Sequence, residues 1–154
     1  MRWHVPVALL LAGCATARGQ RLGIDFDGGS SATVTIPAGC AARKTGQGEE
    51  GSIYAVSEQG AERPFALLLL GVDNGDEPPD EEPVEIAGHR FLRFQSHIIE
   101  GPNTAYRYEV VPRVGTVTRF DIARLPYPRA EPFEALLSSF RVELRPEARA
   151  PTER

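Results

Sequence analysis

Residues 90–123 read RFLRFQSHIIEGPNTAYRYEVVPRVGTVTRFDIA, and apolar and polar side chains alternate through much of this stretch. Alternation with a period of two predicts β-strands that turn one face to a core and the other to water. Gly101-Pro102-Asn103 is a turn signal between two such strands. Consecutive strands joined by short turns predict an antiparallel meander. The alternation is clearest where Tyr106, Tyr108 and Val110 oppose Arg107, Glu109 and Val111.

Residues 132–140 carry a different period. Phe133, Leu136, Leu137 and Phe140 recur at i, i+3, i+4 and i+7, and Pro132 suits the first position of a helix. This spacing predicts an amphipathic helix with one apolar face. The expected fold class is therefore α+β, an antiparallel β-sheet (meander) backed by a C-terminal amphipathic helix.

Other segments fill in the predicted sheet. Strands are expected at residues 32–36, 52–57, 84–86 and 141–144. The continuous apolar run at residues 65–72 predicts a strand buried on both faces, whereas residues 43–51, rich in glycine and charge, predict a loop.

The N-terminus has the features of an export signal. Arg2 precedes a short apolar core at residues 5–11, far below the roughly 20 residues that a transmembrane helix needs. Leu11-Ala12-Gly13-Cys14 resembles the bacterial lipoprotein lipobox. The resemblance implies that Cys14 is acylated, typically with palmitate, and becomes the first residue after cleavage. Two alternatives stay open: ordinary secretory cleavage near Ala15-Thr16-Ala17, and no export.

The lipobox divides the chain. We expect a signal peptide at residues 1–13, a flexible tether at 14–23, a single domain at 24–144 and a disordered tail at 145–154. The expected location is the bacterial cell envelope, with the protein anchored to the lipid bilayer and facing the periplasm or the exterior.

Charge excludes one class of partner. The formal net charge is −4, and removal of residues 1–13 takes away Arg2 alone among the charged residues. A mildly acidic domain is a poor candidate for nucleic-acid binding, so no nucleic-acid partner is expected. Gly46-x-Gly48 lacks the Lys-Ser/Thr of a phosphate cradle, and no cofactor is predicted.

Cys40 and the acidic segment at residues 73–83 are the candidates for thiol or metal chemistry. If Cys14 is acylated, Cys40 has no intrachain disulfide partner, and a lone cysteine is typically a small buried filler. A thiol site or an intermolecular disulfide is its alternative. The acidic segment predicts a solvated loop, with weak calcium binding as the alternative. No metal site is assigned.

His89 and His97 are the candidate general bases. On one regular strand they lie roughly 26 Å apart, too far to share a metal. Each is also compatible with surface or edge packing, and no Ser-His-Asp or Cys-His spacing accompanies them. No catalytic residue is assigned.

The domain also has a closing signature, Leu137-Ser138-Ser139-Phe140-Arg141-Val142, and an early strand ending in Ile36-Pro37-Ala38-Gly39. From about Thr33 to Leu144 this order of elements resembles the PsbP-like family of small α+β domains. The resemblance implies an accessory or binding module without its own catalysis. The predicted function is a membrane-anchored envelope lipoprotein that is not an enzyme. The alternatives are a small periplasmic hydrolase with His89 or His97 as base, and a scaffold that binds a protein partner through its sheet face.

Overall fold

The structure is a computed structural model that describes residues 19–25, 31–48, 51–72, 80–96, 103–110 and 118–143. Most of these residues lie in strands. The elements in chain order are β1 (Arg21–Asp25), β2 (Ser31–Thr35), β3 (Cys40–Gly48), β4 (Gly51–Glu58), β5 (Ala66–Val72), β6 (Glu82–Ile86), β7 (His89–Ser96), β8 (Asn103–Val110), β9 (Thr118–Arg124), α1 (Glu131–Ser138) and β10 (Arg141–Glu143).

The strands form two antiparallel sheets. The small sheet has the order β1-β2-β10, and the large sheet has the order β3-β4-β5-β9-β8-β7-β6. The large sheet joins two meanders, because β9 pairs with β5 in a register that places Leu68 opposite Ile122. The small sheet joins strands that are far apart in the sequence. β10 pairs with β2 and places Val142 opposite Ala32.

The predicted α+β fold class, with one sheet backed by a helix, is wrong, because the structure is mostly β with two sheets. Geometry gives the reason. Seven strands spaced about 4.8 Å apart make a sheet roughly 29 Å wide. A helix of eight residues is only about 12 Å long. It cannot cover that sheet alone, and the small sheet supplies the rest of the second layer.

Most of the predicted strands are present, but two parts of the chain differ from expectation. The sequence predicts a loop at residues 43–51, whereas β3 runs to Gly48 at one end of the large sheet's strand order. β1 begins at Arg21, inside the segment expected to be a tether. Both strands are poor in β-branched and aromatic residues, so their local sequence carries little strand signal.

The main core lies between the two sheets. We call the face of the large sheet that turns to the small sheet and helix the inner face, and the opposite one the outer face. Phe140 is the aromatic centre of the core, with ring centroids 4.7 Å from Phe91, 4.9 Å from Tyr108 and 5.9 Å from Phe120. The main core takes side chains from both sheets, from the helix and from the segments next to them. Its fully buried residues include Val34, Ile36, Val56, Phe65, Leu68, Phe91, Phe120, Ile122, Leu136 and Phe140.

The short helix is fixed to β2 as well as to the core. The backbone N–H of Thr35 donates a hydrogen bond of 2.9 Å to Ser139 Oγ, just after the last helical residue. Phe133 and Leu136 bury their side chains in the main core. Among the described residues, no helix has the length and apolar character required to cross a membrane.

Candidate functional site

Several residues proposed from sequence lie outside the described residues. These are Cys14, His97, the signal segment at 1–13, residues 73–79 of the acidic loop and the tail at 145–154. The described end of the acidic loop holds Asp80, Glu81 and Glu82, and Glu82 forms an ion pair with Arg93. In the ranges that the structure describes, no three His, Cys, Asp or Glu side chains are placed to hold a metal ion.

His89 is part of the aromatic core. Its ring centroid lies 5.3 Å from that of Phe140 and 6.0 Å from that of Tyr108, both edge-on. Within the described part of the chain it makes no hydrogen bond to a serine, cysteine or aspartate. Among the described residues, therefore, no serine, cysteine or aspartate is placed to react through His89.

Cys40 begins β3 and is half-buried rather than fully buried. It lies opposite Glu58 of β4, whose carboxylate accepts hydrogen bonds from the Tyr127 hydroxyl and the Arg129 guanidinium. Burial raises the pKa of the Cys40 thiol above its ordinary value, and the Arg129 charge offsets part of that rise. A raised pKa makes the thiol a poor nucleophile near neutral pH.

The outer face of the large sheet has a charged half, formed by β6 to β9. Arg107 and Asp121 are buried there and pair across β8 and β9, with Arg107 Nε 2.8 Å from Asp121 Oδ1. The Arg107 guanidinium carbon lies 4.7 Å from the centroid of the Phe94 ring. Further toward the strand ends, opposite charges again face each other across neighbouring strands, as Glu85 with Arg90 and Glu109 with Arg119.

The other half of the outer face, on β4 and β5, is apolar. Ile53, Ala55 and Leu69 are half-buried, and Leu67 is 8% exposed. These side chains belong to a second apolar cluster that also contains Phe94, Ala105, Ala123 and Leu125. Among the described residues, this cluster includes no side chain from the small sheet or from α1.

A pocket of about 520 Å³ lies at the β3 side of this apolar half. Ala41 and Arg43 of β3, Ala55 of β4 and Leu67 of β5 line it, together with Glu62 of the β4–β5 loop. Its volume is within the range of about 300–1,000 Å³ that is typical of small-molecule sites. It combines apolar walls with two opposite charges.

Sequence reasoning missed this pocket for two reasons. The sequence predicts a loop at Arg43, and nothing in the local sequence links this residue to Glu62. The two residues approach the same pocket only because β3, β4 and β5 pair in order. The one available signal was the leucine run at residues 67–70, which places alternate leucines on the outer face.

A comparison with protein-family models, curated proteins and solved structures finds no match to this chain.

Proposed function

We propose that the chain is a membrane-anchored envelope lipoprotein whose domain is a noncatalytic binding module, and that it binds through the outer face of the large sheet. The anchor is Cys14, in the sequence Leu11-Ala12-Gly13-Cys14. Two or three acyl chains, each stabilised by about 0.8 kcal/mol per buried CH₂, hold a protein at a membrane firmly.

The composition of the outer face is the observation that carries the binding role. Ile53 and Leu69 remain half-exposed there, next to a row of cross-strand charges that includes Arg119. Apolar side chains bordered by polar and charged ones are typical of recognition surfaces. Much of the inner face is instead occupied by side chains of the main core.

The surroundings of the candidate nucleophile and base support a noncatalytic role. His89 packs against Phe140 and Tyr108, and the pKa of Cys40 is raised by burial. A general base must lie within hydrogen-bond reach of the proton that it removes. A nucleophilic cysteine instead needs a lowered pKa. Cys40 lacks the lowered pKa of a nucleophile, and His89 has no side-chain hydrogen-bond partner among the described residues.

The binding face is tested by photo-cross-linking in living cells. A benzoylphenylalanine replaces Leu69 on the outer face, and the matched control carries it at Glu134, an exposed residue of α1. After irradiation in cells, we expect an added mass on the Leu69 protein and none on the Glu134 protein. Equal additions at both positions, or none at Leu69 in a protein that unfolds like the wild type, would refute binding through the outer face.

A further inference from the structure

The pocket beside β3 has an apolar part, which we call its floor, among lining residues that also include Thr45 and Ser57. Ala41, Ala55 and Leu67 come from three adjacent strands, and Pro64 closes the pocket from the β4–β5 loop. Alanines on neighbouring strands leave a depression where longer side chains would fill the space. The floor therefore suits a branched apolar group of a few carbon atoms.

The pocket carries two opposite charges. Arg43 and Glu62 both line the pocket and are exposed. Neither side chain forms an ion pair or hydrogen bond within the described part of the chain. By contrast, Arg107 pairs with Asp121 in the same sheet, and Arg93 pairs with Glu82. The pocket thus offers one cationic and one anionic partner that do not neutralise each other.

We infer that this pocket binds a small zwitterion of the α-amino-acid class with an apolar side chain. The Arg43 guanidinium binds the carboxylate through two parallel hydrogen bonds. The Glu62 carboxylate accepts hydrogen bonds from the ammonium group, and Ala41, Ala55 and Leu67 contact the apolar side chain. The inference deepens the proposed function and rests on it, because it names the ligand that the outer face takes.

Other ligand classes fit the pocket less well. A simple anion would use Arg43 and leave Glu62 without a charged partner, and a simple cation would do the reverse. A zwitterion uses both charges, and such complementarity discriminates between ligands. A neutral polyol would leave both charged groups without a charged partner and would not use the apolar floor.

Calorimetric titration with three named probes tests the ligand class. The full-length protein is reconstituted in phosphatidylcholine nanodiscs, or kept in buffer if it purifies free of lipid. L-leucine carries both charges, L-leucinamide lacks the carboxylate, and 4-methylpentanoate lacks the ammonium. We expect leucine to bind and each analogue to bind at least tenfold more weakly.

Variants assign the two contacts. Arg43→Gln should weaken the binding of leucine at least tenfold. It should also remove most of the difference in affinity between leucine and leucinamide. Glu62→Gln should also weaken the binding of leucine at least tenfold. It should remove most of the difference in affinity between leucine and 4-methylpentanoate. Arg90→Gln removes one arginine of the same face outside the pocket and should leave leucine affinity unchanged.

The outcomes separate the two proposals. No heat from leucine at ~10 mM, where a complex with a dissociation constant near 1 mM is mostly formed, overturns the zwitterion site, as does equal binding of leucine and leucinamide. If leucine does not bind but the Leu69 photo-cross-link still forms, the proposal of a binding module is supported and only the proposed ligand class is wrong. If leucine binds and the protein carries no lipid, the site stands and only the anchor is wrong.

Discussion

Arg107 and Asp121 form a two-point ion pair across β8 and β9, with Nε–Oδ1 and Nη2–Oδ2 distances of 2.8 Å and 3.0 Å. The two side chains are only 7% and 4% exposed. A pair buried this deeply depends on both partners, because a single charge left behind has lost both its water and its counterion. It fixes the register of two adjacent strands in the charged half of the outer face.

Removal of one partner should therefore be severe. We expect Asp121→Ala to lower the free energy of unfolding by about 3–5 kcal/mol. The matched control is Glu143→Ala, which breaks the exposed pair with Arg21 and should cost no more than about 1 kcal/mol. Urea unfolding measures both. Equal losses in the two variants would show that burial of the Arg107–Asp121 pair has no energetic consequence.

The turn between β6 and β7 should accept a stabilising substitution. Ala87 has φ of 51° and Gly88 has φ of 79°, and two residues with positive φ form the tight hairpin turn that favours Asn-Gly. Ala87→Asn should raise the free energy of unfolding by about 0.5–1 kcal/mol, because alanine is strained there. Gly88→Ala should have the opposite sign. Thermal unfolding checks both, and destabilisation by Ala87→Asn would contradict this geometry.

The sequence predicted individual strands better than their assembly. β7, β8 and β9 were predictable because alternation is a local property that each strand displays by itself. β3 was not, since its alanines, glycines and charges resemble a loop. The pairing of β10 with β2 joins residues that are distant in sequence, and no local pattern encodes it. The α+β prediction was wrong because this pairing completes the small sheet, and the small sheet could not be predicted from local sequence.

The candidate site shows the same limit. The acylation site at Cys14 is predicted from four adjacent residues, and its lipidation stays a prediction. Arg43 and Glu62 become neighbours of one pocket only through the order of β3, β4 and β5, which the sequence does not reveal. Arg107 and Asp121 were each visible as polar residues of a strand. Their burial on the outer face depends on neighbouring side chains such as Phe94.

On α1, Leu136 should contribute more to the stability of the fold than its neighbour Leu137. Leu136 is fully buried in the main core, whereas Leu137 is half-buried. We expect Leu136→Ala to cost about 2–5 kcal/mol from lost contacts and an unfilled cavity. Leu137→Ala should cost clearly less. Chemical denaturation of the two variants measures the difference, and equal costs would show that α1 does not pack as described.

The Cys40 thiol should react slowly. Because burial raises its pKa, its thiolate fraction near neutral pH is lower than that of an ordinary cysteine. Alkylation by iodoacetamide should therefore be slower than that of a free thiol, with its pH midpoint shifted upward. Arg129→Gln removes the charge that offsets this rise and should move the midpoint further up. Mass spectrometry of the Cys40 peptide follows the reaction, and a downward shift in this variant would contradict the assignment.

The central claim is that the domain works at a membrane, held there by acylated Cys14. Growth with radioactive palmitate, followed by purification of the protein, tests it most directly. We predict label on the wild-type protein, none on Cys14→Ala, and unchanged label on Cys40→Ala, which keeps the lipobox. An unlabelled wild type, or equal label on wild type and Cys14→Ala, would contradict the account.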